Sequence, residues 1–190
     1  MSWPINRDAP VQAEPTQDLN HERSVQAFAS RHYPFVWRVL RGLGLSRADA
    51  EDAAQQVLMI ATRKLDTIEP DRERSFVYGV AVRVAKNVRR GLFRRREVLE
   101  APADEADPEA EGAEETVALV QARALLHDLL AKLPQDQRRV LILAEIEGLE
   151  LRAIAEYESI PQGTAASRLR LARARFRTLL GTERHRNPFA

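Results

Sequence analysis

The sequence predicts an all-α protein of two small helical domains joined by an acidic flexible linker, the second domain ending in a helix-turn-helix. Three observations carry that prediction. Apolar residues recur at helical spacing on both sides of the chain's middle, no stretch shows the strict period-two alternation of a strand, and a one-signed, proline-containing run separates the two parts. The divisions read as a disordered arm over 1–20, a helical domain over 21–96, the acidic linker over 97–120, a helix-turn-helix domain over 121–182 and a tail over 183–190.

In the first domain, the segment from Arg47 to Leu65 places Ala50, Ala53, Ala54, Val57, Leu58, Ala61 and Leu65 on one face. That i, i+3, i+4, i+7 pattern is a helix with one buried side. Ser46 or Asp49 suits its N-cap, because a short side-chain oxygen satisfies an otherwise unpaired N–H of the first turn. A polar stretch with Pro70 follows as a loop, and a second helix runs from Ser75 to Phe93 with Val80, Val84 and Val88 spaced by four. In the second domain, Pro134 stands at a helix start and Gly148 breaks that helix. A short helix with Leu151, Ile154 and Ala155 inward comes next, and Pro161 opens a long last helix. So short a turn between the last two predicts a helix-turn-helix.

The charge is segregated rather than small. The chain of 190 residues has a formal net charge of only +1. Yet residues 23–96 carry 16 basic and 7 acidic side chains, residues 97–117 carry nine acids and no base, and residues 118–190 carry 12 basic and 8 acidic. Two basic blocks around an acidic connector suggest a polyanionic partner, and solvated helix faces on an ordinary bundle account for the same charges. The absence of cysteine excludes disulfides, cysteine-ligated zinc and thiol catalysis. The N-terminus lacks the apolar run of a signal peptide, and no stretch of about 18 apolar residues is present to span a membrane. The four histidines, His21, His32, His127 and His185, are scattered, and neither an HExxH motif nor a glycine-rich phosphate loop occurs. No catalytic residue, metal site or cofactor is expected, and the protein does not read as an enzyme.

The stretch SIPQGTAASRLRLARARFR, Ser159 to Arg177, holds five arginines and no acid. On a wheel of about 100° per residue, Ala165, Leu169, Ala172 and Phe176 form a core stripe. Arg170, Arg173 and Arg177 fall on one flank and Arg168 and Arg175 on the other, with small Gly163, Ser167 and Ala174 between them on the solvent side. Such a ridge suits a DNA major groove: small residues let the backbone approach while guanidiniums reach phosphates on either side. On these features alone, a stand-alone helix-turn-helix regulator explains the DNA motif equally well.

The longer match is to a family. Leu133-Pro134, Glu147-Gly148-Leu149, Ile154-Ala155-Glu156, Ile160-Pro161, Gly163-Thr164 and Ser167-Arg168-Leu169 resemble region 4 of extracytoplasmic-function (ECF) RNA polymerase sigma factors. DAEDAAQQVLMIATRKLD, Asp49 to Asp66, and SFVYGVAVRVAKNVRRGLFRRR, Ser75 to Arg96, resemble region 2 of the same family, in the same order. The chain departs from the family pattern at Gln56, Phe76, Ala166 and Ser159; the last stands at a turn where Gly or Asp is frequent and where positive φ costs a serine about 1 kcal/mol.

The resemblance implies a sigma factor that binds core RNA polymerase through its β′ and β subunits, recognises the −10 and −35 promoter elements and directs transcription initiation. It implies promoter DNA and an anti-sigma factor as further partners, no membrane insertion, and a cytoplasmic location at the nucleoid. Carried over by position, Asp49, Asp52, Gln55 and Gln56 meet the polymerase. The loop from Ile68 to Arg74 and the helix after it take the −10 strand, with Arg74, Arg83, Lys86, Asn87 and Arg90 as polar contacts and Phe76 or Tyr78 stacking on a base. Gln162, Thr164, Ser167, Arg168, Arg170 and Arg173 read the −35 element.

Overall fold

The computed structural model describes residues 15–99 and 117–186, with side chains described over 23–92 and 117–183. Among these residues there are seven α-helices and no strand: α1 Pro15–Gly42, α2 Arg47–Thr62, α3 Glu73–Leu99, α4 Val117–Ala131, α5 Gln135–Leu141, α6 Leu151–Glu158 and α7 Gln162–Arg186. Most of the arm expected over 1–20, the middle of the linker expected over 97–120 and the end of the tail expected over 183–190 lie outside the described residues. The described ends of all three stretches are helical. Helix α1 already starts at Pro15, α3 runs on to Leu99, α4 begins at Val117 and α7 continues to Arg186. Helices propagate cheaply from a packed nucleus, so their ends overrun boundaries drawn from composition.

Each helix follows from local chemistry. Ser46 caps α2: its Oγ accepts from the Asp49 N–H at 3.1 Å and donates to Asp49 Oδ2 at 2.8 Å. The polar loop after α2 folds as two 3₁₀ turns, Leu65–Thr67 and Pro70–Arg72. Pro134 occupies the N-cap of α5 rather than its first turn. From α5 the chain continues as a π-helical turn over Ile142–Ile146, which brings Ile142 and Leu143 to the core together. Gly148, at φ 64°, ends it, with the Leu149 N–H reaching back to the Leu143 carbonyl at 2.9 Å. Ser159 ends α6 in the same manner at φ 53°, ψ 47°, the left-handed conformation that disfavours any residue with a Cβ.

In the N-terminal half, α1, α2 and α3 pack as a three-helix unit. Alanines at 50, 53, 54 and 61 let α2 lie close against its neighbours, and Val36, Val39, Leu40, Val57, Val77 and Ala81 close the centre. In the C-terminal half, α4 to α7 bury Leu129, Leu143, Ile154, Ala165, Leu169 and Ala172. The two halves share one contiguous apolar core. Gly42, at the end of α1, abuts Ile142 so closely that a Cβ there would stand 2.8 Å from Cδ1.

Polar ties cross this seam. Buried Arg138 donates to the Leu43 carbonyl at 3.1 Å, the Leu133 carbonyl at 3.2 Å and the Ala131 carbonyl, joining the turn after α1 to the turn after α4. Within the N-terminal half, Arg89 donates to the same Leu43 carbonyl at 3.4 Å. The Glu147 carboxylate takes Arg38 at 2.9 Å and Arg74 at 3.0 Å. Glu158 accepts from the Tyr78 hydroxyl and from Arg139 Nε at 2.8 Å.

Two outcomes follow for stability. Ser159→Gly relieves the left-handed strain and raises unfolding free energy by up to about 1 kcal/mol, read as a melting temperature higher by a few degrees. In α4, burial and then the Arg41 charge hold the His127 imidazole down to about 4, against an ordinary value of 6.5. Between those values the unfolded chain binds a proton that the folded one refuses, so this group's contribution to stability is lost as pH falls from 6.5 towards 4. His127→Gln therefore shows a shallower loss of melting temperature across that window than the parent protein.

Candidate nucleic-acid interface

Helix α7 presents the expected cross-section. Ala165 and Ala172 are fully buried, Leu169 is nearly so and Phe176 packs against the core, while Gly163, Ser167 and Ala174 face solvent. Arg170, Arg173, Arg175 and Arg177 are exposed, and Arg168 is half-buried. The first helix of the motif, α6, packs on α3, leaving the arginine rows of α7 outside the seam.

Several of these arginines are pre-positioned by acids of α5 and the π turn. Arg168 meets Asp136 at 3.3 Å, Arg173 meets Glu145 at 2.7 Å, and Arg175 donates to buried Gln137 at 3.0 Å. Arg170 and Arg177 have no ion pair or hydrogen bond among the described residues. Ser167 Oγ donates to the Thr164 carbonyl at 3.0 Å, exposed Gln162 stands in the first turn, and Thr164 is half-buried. The six residues expected to read the −35 element thus lie along the first three turns of one helix, which is consecutive geometry rather than a long-range assembly.

The residues expected at the −10 element divide into two groups. Arg83, Lys86, Asn87 and Arg90 are exposed along α3. The other three are engaged. Tyr78 is 2% exposed, so in this conformation its ring does not offer a face to a base. It packs at 5.5 Å against Tyr157 and donates to Glu158. Burial first, and then the Glu158 charge, push its phenol far above the ordinary tyrosine range. Phe76 is half-buried against the core. Arg74 lies over the Phe35 ring at 4.3 Å and is paired with Glu147. For Tyr78 and Arg74 the physical reason is the same: α6 and the turn before it cover the N-terminal end of α3.

On α2, Asp52, Gln55 and Gln56, the residues expected to meet the polymerase, are exposed on one face. Asp49 is instead half-buried and committed to the Ser46 cap. Met59 joins the exposed face with 58% of its surface accessible; an isolated methionine on the polar side of an amphipathic helix is the signal that points to it. The pairings of Glu147, Glu158 and Arg38 across the halves are not legible in the sequence, since nothing local marks a residue whose partner lies on the other half. Among the described residues no group of three or more His, Asp or Glu is placed to hold a metal, and no helix is long and apolar enough to cross a membrane.

Comparison with known proteins gives two family matches, Sigma-70 region 2 over residues 28–96 and Sigma-70, region 4 over residues 123–176. The chain is 32% identical over 134 residues to the RNA polymerase sigma-H factor of Pseudomonas aeruginosa, a match spanning 66% of this chain and 69% of that one. It is 26% identical over 164 residues to the ECF RNA polymerase sigma-E factor of Escherichia coli, spanning 82% and 80%. In fold it is similar to the sigma factor RpoE solved with the anti-sigma factor NepR from Bartonella quintana, with TM-score 0.66 and 21% identity over 85% of this chain and 97% of that one. It is likewise similar to CnrH solved with the cytosolic domain of CnrY, with TM-score 0.64 and 22% identity over 85% and 90%.

Proposed function

The chain belongs to the sigma-70 family of RNA polymerase sigma factors, in the ECF group, and from that premise we propose how its surfaces divide the work of promoter recognition. The protein binds core RNA polymerase, recognises the −10 and −35 promoter elements and directs initiation. Residues 121–182 act as the −35 reading domain, and residues 21–96 act as the polymerase-binding and −10 domain. It acts in the cytoplasm at the nucleoid, with an anti-sigma factor as its inhibitor; the solved relative held by such a partner supports that pairing.

The observation that carries the −35 assignment is the cross-section of α7. A buried stripe at Ala165, Leu169 and Ala172 fixes the helix, and the ridge at Gly163, Ser167 and Ala174 is open between arginines. Arg168, Arg170 and Arg173 supply guanine or phosphate contacts, and Gln162, Thr164 and Ser167 supply contacts to base edges. The pairs to Asp136 and Glu145 hold two of those guanidiniums in place at surface sites, where exchanging a carboxylate for a phosphate costs little.

The polymerase contact is assigned to the exposed face of α2, Asp52, Gln55, Gln56 and Met59, with Asp49 shaping its first turn through the cap. The −10 strand is assigned to α3. Arg83, Lys86, Asn87 and Arg90 track its backbone, and Arg74, Phe76 and Tyr78 become available when α6 leaves the end of α3.

Run-off transcription from a genomic library with core polymerase tests the whole assignment. A specific transcript is expected; a stand-alone regulator gives none. Arg168→Ala or Arg170→Ala is expected to weaken promoter binding about tenfold or more in a mobility-shift assay, with polymerase capture unchanged. Met59→Asp has the opposite pattern: polymerase capture falls, while the melting temperature and the isolated −35 interaction stay as they were.

A further inference from the structure

Glu147 stands in the turn that follows the π segment, and its side chain is 1% exposed. Its two oxygens take Nε and Nη2 of Arg38 at 2.9 Å each, and Oε2 also takes Nη2 of Arg74 at 3.0 Å. Both guanidiniums come from the N-terminal half. Both remain accessible, with 44% of the Arg38 side chain and 41% of the Arg74 side chain exposed. The closed molecule therefore hides the acid and leaves the outer edges of the bases in water.

The arrangement is that of an oxyanion clamp. Arg38 offers two donors in parallel to two oxygens, and Arg74 adds a third from the side. Guanidinium forks accept phosphate in the same geometry as carboxylate. Arg74 is oriented by the Phe35 ring beneath it, so the clamp has a fixed base in the N-terminal half. The nearest other acid on α3, Glu73, is turned to Arg31 at 3.3 Å and His32 at 2.9 Å. One carboxylate against two guanidiniums leaves a positive charge over. The clamp also adjoins the loop Ile68 to Arg74 and the end of α3, the surface assigned above to the −10 strand.

We propose that Arg38 and Arg74 form a site for a backbone phosphate of single-stranded promoter DNA, and that Glu147 fills it as an internal phosphate mimic while the two halves are packed together. The inference rests on the −10 assignment and deepens it in two respects. It adds Arg38, a residue of α1, to the strand-binding surface. It also makes the closed conformation self-inhibiting, because the C-terminal half must withdraw Glu147 before the strand can enter. Glu158 works alongside as a second tie, keeping the Tyr78 hydroxyl on α6.

The test uses the full chain and a fluorescein-labelled single-stranded oligonucleotide of randomised sequence, titrated over a salt series. Glu147→Gln is expected to tighten binding about tenfold, the size of one charge-assisted contact regained. The slope of log affinity against log salt is expected to steepen by about 0.7, the signature of one further phosphate on a single strand. Arg38→Ala placed in the same chain should cancel both gains. A gain that survives Arg38→Ala overturns the clamp, because separation of the halves has then merely uncovered other cations. Small-angle scattering reports whether the halves part. If Glu147→Gln alone leaves them packed, the Glu147→Gln, Glu158→Gln pair is titrated instead, and unaltered strand binding there sinks the proposal whether that chain is open or closed. Run-off transcription by the parent protein is scored separately: its failure unseats the promoter assignment, whereas normal run-off with unaltered strand binding unseats only the clamp.

Discussion

A carboxylate taken out of water must find partners, and in this molecule two of them, Glu147 and Glu158, find partners across the boundary between the halves. Each is almost entirely buried, at 1% and 3% side-chain exposure. Glu147 is not stable there unless the partner surface is in place, since an isolated buried charge is costly and a paired one tolerable. Glu147 depends on Arg38 and Arg74 of the N-terminal half. Glu158 is held by Arg139 on its own side and by Tyr78 on the other. Packing of the halves and satisfaction of the Glu147 charge are therefore one event. The apolar part of the seam, with Ile142 against Gly42, supplies area, while the carboxylates fix the orientation.

That orientation sorts the functional surfaces. The arginine rows of α7 and the polar face of α2 remain in solvent, whereas the N-terminal end of α3 lies beneath α6. A chain held this way still presents the helix proposed to read the −35 element and the face proposed to meet the polymerase. It engages Arg74 and Tyr78, which lie by the loop proposed to take the −10 strand. The tie is polar and partly open to water at its arginine ends, so competing oxyanions can exchange with it, as a wholly apolar interface would not allow.

The arginine chemistry is used in two distinct ways. Arg138 is buried and spends its donors on main-chain carbonyls of two turns, so it works as mortar, and its guanidinium is pulled below its ordinary value by burial and then by Arg89. Arg168, Arg173 and Arg175 sit at the surface with single polar partners that orient them without enclosing them. Residue type is the same in both cases. Desolvation decides which arginine is structure and which is available to DNA.

The order of residues was enough to reveal α2, because its alanines and valines keep a strict helical period beside a capping serine. It was enough for the helix-turn-helix too, where prolines and a glycine punctuate the chain and Ser159 stands in the turn, which holds it at positive φ. Local patterning was silent on α1, whose interior Pro34 argues against a continuous helix, and on α4, which adjoins the acidic run. It also left Tyr78 and Arg74 looking like free strand contacts. What they touch is set by Glu158 and Glu147, 80 and 73 positions away along the chain. Periodicity, caps and turns act over a few residues and leave a mark in the sequence they govern. A buried charge pair acts through space between segments that folding alone brings together, so the seam, and with it the closed state, is decided only in three dimensions.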